Sequence, residues 1–141
     1  MILEPKDMIC IACPLGCRLS IYEDNSAEGF IVSGNKCLRG IDYAVKEMTN
    51  PTRVLTTTVK ISKAFFSRIP VRTNGAIPKS LIYEAMKLIN CIEIQAPVRM
   101  GQVLIKNILD TGVDIIASRS MYEREMLDHI KDSTFEVKKS L

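Results

Sequence analysis

The sequence predicts an α+β fold: a small N-terminal metal-binding lobe of cysteine loop, β-hairpin and helix, then a mixed α/β lobe and a helical tail. Three observations predict it. Four of the five cysteines lie in the first 37 of 141 residues, with Cys10, Cys13, Cys17 and Cys37 in the pattern C-x2-C-x3-C-x19-C. Short runs of alternating or β-branched residues, separated by Gly, Asn and Pro, read as strands. Two stretches, 38–49 and 78–90, repeat apolar residues at helical spacing. The lobes are expected over 1–49 and 50–118, with the tail over 119–141.

Residues 1–9 read as a lead-in to the first cysteine. The loop 10–17 contains Pro14 and Gly16, which oppose a regular helix and let backbone amides turn toward the sulfurs. Residues 18–23 alternate, 24–29 carry turn chemistry and 30–32 continue as a second strand, so a hairpin is expected. It carries the chain away from the three-cysteine loop and back to Cys37. Residues 38–49 form a helix with Ile41, Ala44, Val45 and Met48 on one face, stopped by Asn50-Pro51.

Strands are expected over 53–60 and 65–72, the second marked as an edge or bulge by Pro70. Pro78 opens a helix through Asn90 with Leu81, Ile82, Ala85, Met86 and Ile89 on its face. Cys91, at its end, reads as a core thiol. Short strands follow over 92–95, 103–106 and 113–117. The tail reads as a surface helix to about Lys131, its apolar side marked by Met121, Met126, Leu127 and Ile130.

Composition excludes several classes. A hydrophobic fraction of 47% is enough for a core, so disorder is not expected. The net charge of +3 comes from basic residues spread along the chain, so no nucleic-acid partner is expected. No apolar run reaches eighteen residues and the N-terminus carries Glu4 and Asp7, so neither membrane insertion nor a signal peptide is expected. The compartment expected is therefore cytoplasmic, where clustered cysteines are more often metal ligands than disulfides. His129 is the single histidine, and there is no Ser-His-Asp set, HExxH or phosphate-cradling glycine loop. A stand-alone enzyme is not expected.

The four cysteines have three readings. All can bind one [4Fe–4S] cluster, whose cube needs four thiolates. They can instead enclose one zinc ion as a closed structural site. They can also be thiols without a metal. Zinc sites usually present two C-x2-C knuckles, and only Cys10–Cys13 forms one here, which favours the cluster. Lys36 and Arg39 flank Cys37, either as surface charge beside an anionic site or as residues that tune the cluster or mark where an acidic partner or cofactor docks. Gly40, in the first turn of the helix, allows close backbone approach to a cluster.

The N-terminal motif resembles the iron–sulfur domain that opens molybdopterin oxidoreductases such as formate dehydrogenases and periplasmic-type nitrate reductases. That domain carries C-x2-C-x3-C, a hairpin and C-x-(K/R)-G, matched by Cys10, Cys13, Cys17, Cys37, Arg39 and Gly40. The resemblance implies a cluster and makes Arg39 the counterpart of the basic residue between cluster and pterin. It stops at Gly40 and implies no molybdenum chemistry. Across Cys10–Cys17, Gly34–Glu47, Asn50–Val59, Ile69–Thr73 and Ala96–Ala117 the chain is similar to a small bacterial family of uncharacterised proteins known for CxxC cysteine pairs. That family is often encoded beside flavin-dependent oxidoreductases, either glycerol-3-phosphate dehydrogenase-like or NADH-oxidase-like. The resemblance implies an iron–sulfur electron-transfer or accessory subunit with a flavoprotein partner. The alternative is a redox-silent zinc-binding scaffold.

Overall fold

The computed structural model of the protein describes residues 4–23 and 29–124. The architecture is α+β, mostly strands, and the chain divides into two units, Met1–Pro51 and Thr52–Leu141.

The first unit is a three-stranded antiparallel sheet covered on one face by a helix. Its strands are β1 (Lys6–Ile9), β2 (Arg18–Glu23) and β3 (Phe30–Ser33), in the order β1-β2-β3. Alternation in β2 sends Leu19 and Ile21 to the covered face, where they are 1% and 2% exposed. Met8 stands opposite Leu19 and Val32 opposite Ile21, so both neighbours feed the same core. The helix α1 (Leu38–Thr49) closes it with the buried Ala44. Asn50 caps α1 by donating its N–H to the Lys46 carbonyl at 2.9 Å, and Pro51 cannot continue it. Residues 6–9 are therefore a strand and not a lead-in. With charges at Lys6 and Asp7 and only Met8 packed against the core, β1 has no readable alternation and exists through its pairing with β2.

The second unit is built on a five-stranded sheet. Its strands are β5 (Thr56–Ser62), β6 (Arg68–Thr73), β8 (Glu93–Gln95), β9 (Val103–Ile105) and β10 (Ile115–Ala117), in the order β8-β5-β6-β10-β9. A two-stranded ribbon pairs β4 (Thr52–Arg53) with β7 (Ile77–Pro78). β8 runs parallel to β5, a connection that requires a crossover. A 3-10 turn (Lys79–Leu81) and α2 (Ile82–Asn90) supply it, with Ala85 and Ile89 buried in the core around Val59, Ile69, Val71 and Ile115.

Four details differ from the sequence reading. The second strand of the β5–β6 hairpin starts at Arg68, because Ile61 N–H closes onto the Ser67 carbonyl at 3.0 Å and Lys63 turns the chain with φ of 57°. Phe65 and Phe66 consequently lie in the loop, exposed. Pro70 sits in the central strand β6, not at an edge. It faces Thr58 in a pair that exchanges no hydrogen bonds, the 55–73 and 61–67 pairs having the opposite parity. Its nitrogen therefore faces the β10 side, where β10 has already ended and only Ser118 donates to the Pro70 carbonyl. Cys91 caps α2 and is exposed rather than a core thiol. Finally, Met121 is buried in a β-bridge with Val98, exchanging two 2.8 Å hydrogen bonds, so the start of the tail is extended. The rest of the expected tail helix, with His129, lies outside the described residues.

Candidate functional site

The strand directions bring the four cysteines to one end of the first unit. β1 ends at Ile9 opposite Arg18, where β2 begins, and the 10–17 loop joins them. The ladder extends one step into that loop, since Cys10 N–H donates to the Cys17 carbonyl at 2.8 Å. Cys10 and Cys17 are thus pinned as the two feet of the loop, with Cys13 between them. β3 pairs Ser33 with Ser20 and so ends at this same edge. Gly34 to Lys36 then cross to Cys37, the residue before α1.

Two glycines make that crossing close. Gly34 has φ of 82°, and a Cβ there would overlap the Arg18 carbonyl oxygen. Gly40 is buried, and a Cβ on it would stand 2.9 Å from Asn35 Cβ and 3.7 Å from Leu19 Cδ2. The close approach that the structure shows at Gly40 is to the β3–α1 turn and to β2. Asn35 completes the turn, its Nδ2 donating to the Cys37 carbonyl at 3.3 Å.

The cysteines differ in exposure. Cys10 is 5% exposed, Cys13 and Cys17 are half-buried, and Cys37 is open to solvent. The Cys37 thiol is held below its ordinary pKa, first by the Gly40 backbone amide and then by the Arg39 side chain. The Gly40 N–H itself closes onto the Cys37 carbonyl at 3.1 Å, and no side-chain cap bond forms, so its action on the sulfur is that of a nearby amide dipole. Lys36 and Arg39 are both exposed.

By donor chemistry the set fits a thiolate-bound group: four sulfurs, three on one short turn and the fourth delivered by the crossing chain. Among the described residues, no three Cys, His, Asp or Glu side chains are gathered closely enough to enclose a metal ion. The backbone brings the four cysteines to one edge, and the side chains stand ungathered.

Sequence reasoning missed the apolar surroundings of these cysteines. Ile9, Ile11, Leu15 and Leu38 are 49%, 71%, 68% and 77% exposed. Gly16 lies over the Ile9 side chain, 3.8 Å from its Cγ2 to the position a Cβ would take. A groove of about 320 Å³ lined by Asp7, Met8, Ile9, Arg18 and Ser20 opens beside them. The readable signal was large apolar residues interleaved with cysteines in a loop, where burial cannot explain them.

In the second unit, Asp114 ties two turns together. Its Oδ1 accepts from Asn107 N–H at 2.8 Å and its Oδ2 from Asn74 Nδ2 at 3.4 Å, while its own N–H donates to Asn74 Oδ1 at 3.0 Å. A carboxylate so occupied supports the loops. No helix among the described residues is long and apolar enough to cross a membrane.

No curated protein matches the chain significantly. The chain is similar to the NMR structure of Clostridium perfringens protein CPE0013, at 25% identity over 51% of this chain and 86% of that one, with a TM-score of 0.48. Residues 38–119, more than half of the chain, match the family model described as protein of unknown function (DUF1667), and the chain belongs to that family.

Proposed function

We propose that the protein is an iron–sulfur electron-transfer or accessory subunit of a flavin-dependent oxidoreductase, with Cys10, Cys13, Cys17 and Cys37 as the ligands of one [4Fe–4S] cluster. The observation that carries this reading is the delivery of all four cysteines to one end of the β1–β3 sheet, by a loop whose feet are hydrogen-bonded and a turn built on Gly34 and Asn35. When bound, such a cluster takes up and returns single electrons at a potential set by charge, amide hydrogen bonds and exposure. Lys36 and Arg39 offset negative charge at this end, and the Gly40 amide stabilises Cys37 as thiolate. The flavoprotein partner follows from the resemblance of the sequence to proteins encoded beside such enzymes.

A structural zinc site is the second reading. It draws on the same four sulfurs and on the small core of the first unit, where Cys10, Leu19, Ile21 and Ala44 are the buried residues among those described. The experiment is anaerobic purification followed by iron, sulfide and zinc determination with absorption and EPR spectra. About four irons with labile sulfide and a broad band near about 400 nm support the cluster. One zinc with a featureless visible spectrum replaces it with the scaffold reading.

A further inference from the structure

Beside the cysteines in sequence stand large apolar side chains that the core of the first unit does not use. Ile9, Ile11, Leu15 and Leu38 are each about half exposed or more, and each is adjacent or next but one in sequence to Cys10, Cys13, Cys17 or Cys37. Leaving four large aliphatic groups in water is unfavourable by the area they expose, and their concentration in the two short segments that carry the cysteines points to contact with something else. In the two segments that carry the cysteines, the charges have one sign. From Ile9 to Arg18 and from Gly34 to Gly40 there are three cations, Arg18, Lys36 and Arg39, and no Asp or Glu.

We propose that this end is a docking surface for a second protein, one presenting an apolar patch rimmed by carboxylates. The proposal rests on the cluster reading only for the partner's redox character: an electron carrier must bring its ligands against the centre it serves. Charge selects the occupant. A second copy of this chain would bring Arg18, Lys36 and Arg39 against one another across a two-fold interface, with Asp7 the one carboxylate lining the groove to answer three cations. A lipid surface fits less well, since the ring is aliphatic and lacks the Trp, Tyr or Phe that anchor a protein at a membrane interface. The groove lined by Ile9 and Arg18 gives a partner's side chain a place to enter, with the Asp7 carboxylate at its edge accepting from the Ser20 hydroxyl at 2.7 Å.

The test places the photo-crosslinker benzoylphenylalanine at Leu15, at Leu38 and, as a control in the other unit, at the 82% exposed Tyr83, in the full chain under anaerobic conditions. The expected result is a crosslink from Leu15 and Leu38, and not from Tyr83, to one flavin- or metal-containing protein. With that protein purified, Leu15→Glu weakens binding by about tenfold or more at unchanged iron content. Raising salt from about 50 to about 500 mM weakens wild-type binding as well. The proposal is overturned by crosslinks only to another copy of the chain, by flotation of the protein with anionic phospholipid vesicles, by equal crosslinking at Tyr83, by no crosslink at either leucine, or by a Leu15→Glu affinity equal to wild type. Metal content is measured on the same samples. Absence of iron sinks the cluster reading and with it the partner's redox identity, whereas an iron-loaded protein that fails to crosslink overturns the docking surface alone.

Discussion

Cys37 stands at the start of α1, open to solvent, with its thiol pKa lowered by the Gly40 amide and the Arg39 side chain. The thiolate is the reactive form, so a lowered pKa moves the rise of reactivity with pH downward. In metal-free protein carrying Cys91→Ser, the rate of Cys37 alkylation by iodoacetamide should rise with a midpoint below that of an ordinary thiol. Arg39→Ala should move that midpoint upward, read by mass spectrometry of the Cys37 peptide. Each of Cys10→Ser, Cys13→Ser, Cys17→Ser and Cys37→Ser should lower iron per chain well below wild type after anaerobic purification, while Cys91→Ser should not. Full iron in any of the four would remove that residue from the ligand set. Gly34 is the backbone counterpart. Its φ of 82° and the Arg18 carbonyl where a Cβ would go make Gly34→Ala destabilising to the first unit by about 3 kcal/mol or more, measurable by denaturation. The cysteine spacing and the glycines could be read from sequence, because both are local. The partner of Gly40 could not, since Asn35 and Leu19 reach it through the turn and the sheet.

At the scale of elements, periodicity carried the reading wherever an element buries one face. The helix over 78–90 was legible because Ala85 and Ile89 recur at helical spacing, and β5 because its β-branched residues alternate. β1, β4 and β7 were not, being two to four residues long and defined by pairing alone. Pro70 misled for a physical reason: the rule that proline belongs at edges concerns its missing N–H, and in β6 that position falls where β10 has ended. The hydrogen bonds between β6 and the chain entering β5 give a prediction of their own. Thr73 is fully buried, and its Oγ1 accepts the Leu55 N–H at 2.9 Å while its own N–H donates to the Leu55 carbonyl at 2.9 Å. Thr73→Val keeps shape and removes the acceptor, stranding a buried N–H. The second unit should lose about 1–3 kcal/mol of stability in urea unfolding, with Thr73→Ser losing less. A Thr73→Val variant as stable as wild type would mean that the Leu55 N–H finds another acceptor and that the hydroxyl does not hold this corner.

At the scale of the molecule, the two units hold very different cores. Among the described residues, the second buries fourteen apolar side chains, from Leu55 to Met121, and the first buries Cys10, Leu19, Ile21 and Ala44. A domain of that smaller size seldom gains more than about 3–5 kcal/mol from its core alone. Metal binding by a four-ligand thiolate site supplies folding free energy of about 10–16 kcal/mol in small zinc modules, far more than the deficit. If Cys10, Cys13, Cys17 and Cys37 bind one centre, that centre ties the β1–β2 loop to the start of α1 and closes the small core. Removing it should therefore loosen the first unit and leave the second intact. In hydrogen exchange, chelation under reducing conditions should strip protection from Leu19, Ile21 and Ala44, while Val59, Ile69 and Ile115 exchange as before. Heating the metal-bound protein should give one transition that shifts on chelation and one that does not. Unchanged protection at Leu19 and Ile21 after the metal is gone would mean that the sheet and α1 hold themselves together, and that the bound centre is not a folding staple for this unit.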